Sequence, residues 1–128
     1  MKLGYTIIYV SDVQKTIAFY ENAFGLAIKF LHESMAYGEM ETGTTTLAFV
    51  AEDLSKQNGI SFTPNLLKNT PPGIEIAFVI DNVTAAYNKA VHAGAQSIKE
   101  PMQKPWGQIV AYVRDINGIL IELCSPLQ

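Results

Sequence analysis

This chain has little that favours a charged partner or a covalent framework. Cys124 is the only cysteine in 128 residues, which excludes an internal disulfide and fits a reducing compartment. Arg114 is the only arginine, no basic cluster occurs and the net charge is -3, so no nucleic-acid partner is expected. Histidine occurs only at His32 and His92. No apolar run approaches the roughly 18 residues of a membrane span, so no membrane partner is expected. The N-terminus runs straight into strand-like sequence without a signal-peptide pattern, and a cytoplasmic protein is expected. Hydrophobic residues make up 48% of the chain, enough for one compact domain or two small modules sharing a core.

One unit is written twice. Tyr5 to Val10 is β-branched and aromatic, as a strand requires, and Ser11-Asp12-Val13 then opens a helix. Val13, Ile17, Tyr20 and Phe24 recur at helical spacing, and Gly25 stands where a C-terminal cap belongs. Strands are predicted over residues 27–31, 35–41 and 44–51. The pattern returns with a strand over residues 74–80, then Asp81-Asn82-Val83 and the stripe Val83, Tyr87, Ala90, ending at Gly94. Strands over residues 96–99, 108–113 and 119–124 complete it, with a hairpin turn at Asp115-Ile116-Asn117-Gly118, where Asn-Gly tolerates positive φ. The reading is a single domain over 1–128, with module one over 1–52, a linker over 53–73 and module two over 74–128. The linker is rich in turn formers, with a helical turn expected near 65–69. Its length suits either a cover for a site or a mobile surface connection.

The fold class read from this pattern is α+β: two tandem β-α-β-β-β modules forming a curved eight-stranded mixed sheet around a cup. Each helix covers one sheet face, which leaves a partly apolar concave face for a ligand. Strand alternation then assigns side chains. Glu122, Leu120 and Cys124 share one face of the last strand. Counting four residues from Gly118 gives Glu122, and four from Gly43 gives Leu47, so Thr45, Leu47 and Phe49 are expected to look into the cup.

Ser11-Asp12-Val13 through Ala18-Phe19-Tyr20 to Phe24-Gly25-Leu26, and Val113 to Gly118 followed by Ile121-Glu122-Leu123, carry a resemblance. The chain resembles the vicinal oxygen chelate superfamily, which includes glyoxalase I, extradiol dioxygenases, fosfomycin-resistance enzymes and bleomycin-resistance proteins. The resemblance covers essentially the whole chain. It implies up to four metal ligands, His, Gln or Glu, on the first and last strands of each module. Those positions fall here on Tyr5, Leu47, Glu75 and Glu122. Only Glu122 has the usual ligand type in place. A carboxylate pair without imidazole suits zinc, nickel or iron poorly, and Mg²⁺ or Mn²⁺ better. No cofactor is therefore expected; if a divalent metal binds, Glu122 and Glu75 are its ligands.

The resemblance is nearest to metal-free bleomycin-resistance-like members, and it implies a homodimer that sequesters a drug or metabolite. The expected ligand-binding residues are Tyr5, Leu47, Phe49, Glu75, Trp106 and Glu122. An enzyme is the alternative: a metal-dependent lyase or isomerase, or a metal-free acid–base enzyme, using Glu122 with Glu75 as catalytic candidates. A purely structural role is the plainer alternative, with Glu122 accepting a hydrogen bond from Tyr5 or Tyr9. Cys124 reads as a plain buried thiol.

Overall fold

The computed structural model describes residues 1–127. They form two compact units, Met1–Asn65 and Leu66–Gln128. The fold class is α+β, with eight strands in two four-stranded mixed sheets of identical topology. No helix among the described residues is long and apolar enough to cross a membrane.

The first unit runs β1 (Tyr5–Val10), α1 (Val13–Phe24), β2 (Ile28–Leu31), β3 (Tyr37–Met40), β4 (Thr46–Ala51) and α2 (Glu52–Gln57). Its strand order is β1-β4-β3-β2, with β1 and β4 parallel and the other pairs antiparallel. Asp12 caps α1 by accepting the Lys15 N–H at 2.9 Å. Gly25, at φ 68°, closes the helix by donating its N–H to the Glu21 carbonyl at 3.0 Å. The buried stripe of α1 includes Val13, Ile17, Tyr20 and Ala23. Gly38 lets this helix come close, because a Cβ there would collide with Ile17 Cδ1.

α2 falls where the sequence reading placed only a linker. Its signals are local: Glu52 and Asp53 in the first turn and Lys56 in the last complement the helix dipole, and Asn58-Gly59 stops it. Beyond it the chain returns to the sheet. Asn65 Nδ2 donates to the Tyr9 carbonyl at 3.0 Å, and Phe62 meets the Tyr9 ring edge-on at 4.8 Å.

The second unit runs β5 (Glu75–Val79), α3 (Val83–His92), β6 (Gln96–Gln103), β7 (Ile109–Arg114) and β8 (Leu120–Cys124), in sheet order β5-β8-β7-β6. Asn82 caps α3, accepting the Ala85 N–H at 3.0 Å. β6 runs four residues beyond the predicted 96–99, but irregularly, with register shifts on both sides of Lys99. It is an edge strand, which is where Pro101 is tolerated.

The Asp115–Gly118 turn forms differently from the Asn-Gly expectation. Only Gly118 takes positive φ, at 84°. The Asp115 carboxylate accepts the Asn117 and Ile119 N–H groups at 2.8 and 2.9 Å. Arg114 locks the turn to the 66–69 segment, donating to the carbonyls of Gly118 (2.9 Å), Leu67 (3.0 Å) and Asn69 (2.6 Å). That segment contains the expected turn, with the Asn69 N–H on the Leu66 carbonyl at 3.0 Å.

Candidate functional site

The second unit brings two carboxyls together on one sheet face. β5 and β8 are parallel, with Glu75 opposite Leu120 and Ala77 opposite Glu122. Glu75 and Glu122 are therefore diagonal neighbours on the face away from Ile121 and Leu123, which are buried. Ala77 adds only a methyl beside Glu122. The Glu75 carboxyl lies close enough to Glu122 to feel its hydrogen bonding and its charge. Across the other edge, Tyr112 is the register partner of Glu122 and donates its hydroxyl to Oε1 at 2.9 Å.

The structural alternative expected Tyr5 or Tyr9 as the partner of Glu122; Tyr112 holds that place. The sequence carried a signal for it. The turn at Asp115–Gly118 sets Arg114 opposite Leu120, so two residues further Tyr112 meets Glu122.

This grouping alters the chemistry of its members. Burial, the hydrogen bond that protonated Glu75 gives to Glu122 and the charge of Glu122 push the Glu75 carboxyl above its ordinary value. Beside a second carboxyl, Glu75 holds its proton more tightly than an isolated carboxyl does. The Tyr112 hydroxyl is pushed up to about 12 by burial, then by its hydrogen bond to Glu122 and the charges nearby. Cys124 is 4% exposed and reaches the Phe78 carbonyl at 3.7 Å. Burial and Glu122 push its thiol up to about 11, so it is a poor nucleophile at neutral pH, as a plain buried thiol should be. The site can accept hydrogen bonds, balance a positive charge, or hold and release one proton.

In the first unit the register corrects the comparison between copies. Tyr5 pairs with Thr46 as Glu75 pairs with Leu120, so the counterpart of Glu122 is Ala48 and not Leu47. Leu47 and Phe49 lie on the opposite face of β4 from Ala48. Phe49 is fully buried with its ring 4.8 Å from Tyr20 of α1, and Leu47 shares that face. Both were expected to line a ligand cup; both belong to the core beneath the helix. The slip comes from turn length. Ala48 stands five residues after Gly43, where Glu122 stands four after Gly118, and Thr42 Oγ1 holds that longer stretch by donating to the Thr45 carbonyl and accepting the Leu47 N–H.

These positions do not fit the metal site that the resemblance implies. Ala48 offers no donor atom, and Glu75 and Glu122 stand together without any imidazole. Tyr5 brings a phenol where the resemblance implies His, Gln or Glu. Among the described residues no three His, Cys, Asp or Glu side chains group so as to hold a metal ion. His32 is exposed, with Nδ1 accepting the Ser34 N–H at 3.0 Å, and His92 is exposed at the end of α3.

Trp106, 64% exposed, stands in the turn before β7. Its Nε1 donates to Gln108 at 2.9 Å, and it borders a shallow cleft with Gln108, Ser125 and Leu127. Tyr5 is 56% exposed on the open face of its own sheet.

Repeated β-α-β-β-β units with an acidic last strand define a class, and comparison with known proteins gives it a family. Residues 2–123 match the Glyoxalase/Bleomycin resistance protein/Dioxygenase superfamily, and the chain belongs to it. It is 25% identical to the uncharacterized protein YraH of Bacillus subtilis over 99% of this chain and 100% of that one. It is 26% identical to the virulence protein STM3117 of Salmonella typhimurium, over 95% of this chain and 82% of the relative. The structure of a glyoxalase-related enzyme from Fulvimarina pelagi superposes with a TM-score of 0.83 at 20% identity, covering 98% of this chain and 88% of that one. That likeness concerns the fold.

Proposed function

We propose that this chain is a metal-free small-molecule-binding protein that sequesters its ligand, with the Glu75–Glu122 pair as the polar anchor. The observation that carries the reading is the pair itself: two carboxyls on neighbouring strands, one of them accepting a tyrosine hydroxyl, on a sheet face shared with Ala77, Val79 and Leu120. Such a site suits a compound that brings hydrogen-bond donors or one positive charge on an apolar body, such as a primary amine or an amidine. Trp106 supplies exposed aromatic surface in the same unit. A homodimer belongs to this reading, and exposed Ile98 and Met102 on the edge strand β6 support it as apolar surface that a second copy would cover.

Calorimetric titration with a panel of aryl and alkyl amines tests the reading, paired with mass spectrometry of the compound recovered. Binding without conversion, weakened in Glu122→Gln, is expected. A stoichiometric divalent ion in protein purified without chelator would overturn the metal-free assignment.

One observation favours an acid–base enzyme as the second reading. A carboxyl that keeps its proton beside a carboxylate is the arrangement that such chemistry uses. Conversion of a bound compound that Glu122→Gln abolishes while binding persists would establish it in place of sequestration.

A further inference from the structure

The open face of the first sheet carries chemistry that the carboxyl pair does not use. Strand pairing puts Tyr5, Ile7 and Tyr9 of β1, Ala48 of β4, and Tyr37 and Glu39 of β3 on one face, with Phe30 of β2 opposite Glu39. The other face is taken by α1. Phe30 stands 6.4 Å from the Tyr37 ring at 51°. Tyr5 and Phe30 are 56% and 46% exposed, so two ring faces meet solvent.

Glu39 is the carboxylate in this set. The Tyr37 hydroxyl donates to its Oε2 at 2.7 Å. Burial and Glu39 raise the Tyr37 phenol, so it stays a neutral donor to the Glu39 carboxylate. No ion pair reaches Glu39 among the described residues. Lys29, on the neighbouring strand, donates instead to Thr46 Oγ1 at 3.2 Å.

Exposed rings beside a carboxylate that makes no ion pair attract a particular ligand chemistry. Each ring adds cation–π attraction for a weakly hydrated cation. A small metal ion or a primary ammonium keeps its water and gains less. A cation clothed in methyl groups gains apolar contact with Ile7 and the rings as well as charge balance from Glu39. We infer that the open face of the β1-β4-β3-β2 sheet is a binding site for a quaternary ammonium group, seated on Glu39 and the rings of Tyr5, Phe30 and Tyr37. This site stands apart from the reading given to Glu75 and Glu122, whose carboxyls and hydroxyl favour ligands that donate hydrogen bonds.

The test titrates the full chain with phenyltrimethylammonium and choline, and with 3,3-dimethyl-1-butanol as the uncharged isostere of choline, by calorimetry and saturation-transfer NMR. The expected result is binding of both cations, at least about tenfold tighter for choline than for its isostere. Glu39→Gln should weaken cation binding at least about tenfold, and Phe30→Ala several-fold. Circular dichroism confirms that the variants fold, and Tyr37→Phe, a milder change, should also weaken binding. Cation binding should persist in Glu122→Gln; its loss there would move the cation to the carboxyl pair and overturn the inference. Equal affinity for cation and isostere, or no saturation transfer at millimolar ligand, would also overturn it. So would a Phe30→Ala effect confined to self-association in sedimentation, since the face would then belong to a second copy.

Discussion

Arg114→Met should destabilise the protein by about 4 kcal/mol. Methionine keeps most of the stem and removes the guanidinium. That group is buried and donates to three backbone carbonyls, those of Gly118, Leu67 and Asn69. A hydrogen bond from a charged donor contributes about 1.5–3 kcal/mol. Leu67 and Asn69 lie in an exposed turn, where water replaces part of what is lost, so the lower end applies. Against a total stability of roughly 5–15 kcal/mol, the loss is large. Arg114→Lys keeps the charge, but one compact ammonium cannot span three carbonyls held by a planar fork, so lysine should recover less than half. Urea unfolding followed by circular dichroism measures both variants. Hydrogen exchange at the Asn69 amide, bonded to the Leu66 carbonyl, should accelerate in parallel. A loss under about 1 kcal/mol for methionine, or wild-type stability for lysine, would refute the view that this arginine clamps the 66–69 segment to the turn.

Two further predictions concern protons. Cys124 is pushed from 9.0 up to about 11 and Tyr112 from 10.0 to about 12, so the folded chain holds both protons more tightly than the unfolded chain. Their stabilisation is complete below about pH 9 and is lost as pH climbs toward about 12. Urea midpoints at about pH 8 and 11 should show the fall, and Glu122→Gln should flatten it; an unchanged slope in that variant would count against Glu122 as the cause. The Glu75 carboxyl, also raised, contributes stability that is full at low pH and is lost as pH rises through its folded value. Carbon-detected NMR should place its midpoint above the ordinary carboxylate range, moving back toward that range in Glu122→Gln.

Much of the architecture was legible because its signals are local. Asp12 and Asn82 cap the two long helices where their residue types promise, and Gly25 ends α1 with positive φ. α2 was also written locally, in an acidic start and a lysine near its end, but the prolines beyond it drew the whole stretch into one linker. The site was less legible because pairing across strands depends on turn width. Counting from a glycine assumes equal turns. The stretch after Gly43, held by the Thr42 hydroxyl, is one residue longer than the stretch after Gly118, and the one-residue error put Leu47 and Phe49 on the wrong face. Glu122 was found because a carboxylate inside an apolar strand is conspicuous. Tyr112 was not singled out as its partner, because a tyrosine in a strand is ordinary until its register is known.

With the register in place, the two copies differ in a more specific way than by the loss of one ligand. The position that holds Glu122 in the second sheet holds Ala48 in the first. The position facing it holds Tyr112 in the second sheet and Glu39 in the first. Each open face thus carries a tyrosine hydroxyl on a carboxylate, but assembled differently. In the second sheet the bond crosses strands and a further carboxyl joins it, which concentrates hydrogen-bonding groups and holds a proton. In the first sheet the bond runs along one strand, from Tyr37 to Glu39, and the neighbours are exposed rings. The same backbone therefore presents one face suited to ligands that donate hydrogen bonds and another suited to cations that cannot. A duplication that began with equivalent faces has no physical reason to keep them equivalent once each carboxylate finds its own tyrosine. The ligand set that the resemblance implies draws on both last strands, and Ala48 offers no donor atom on the first of them.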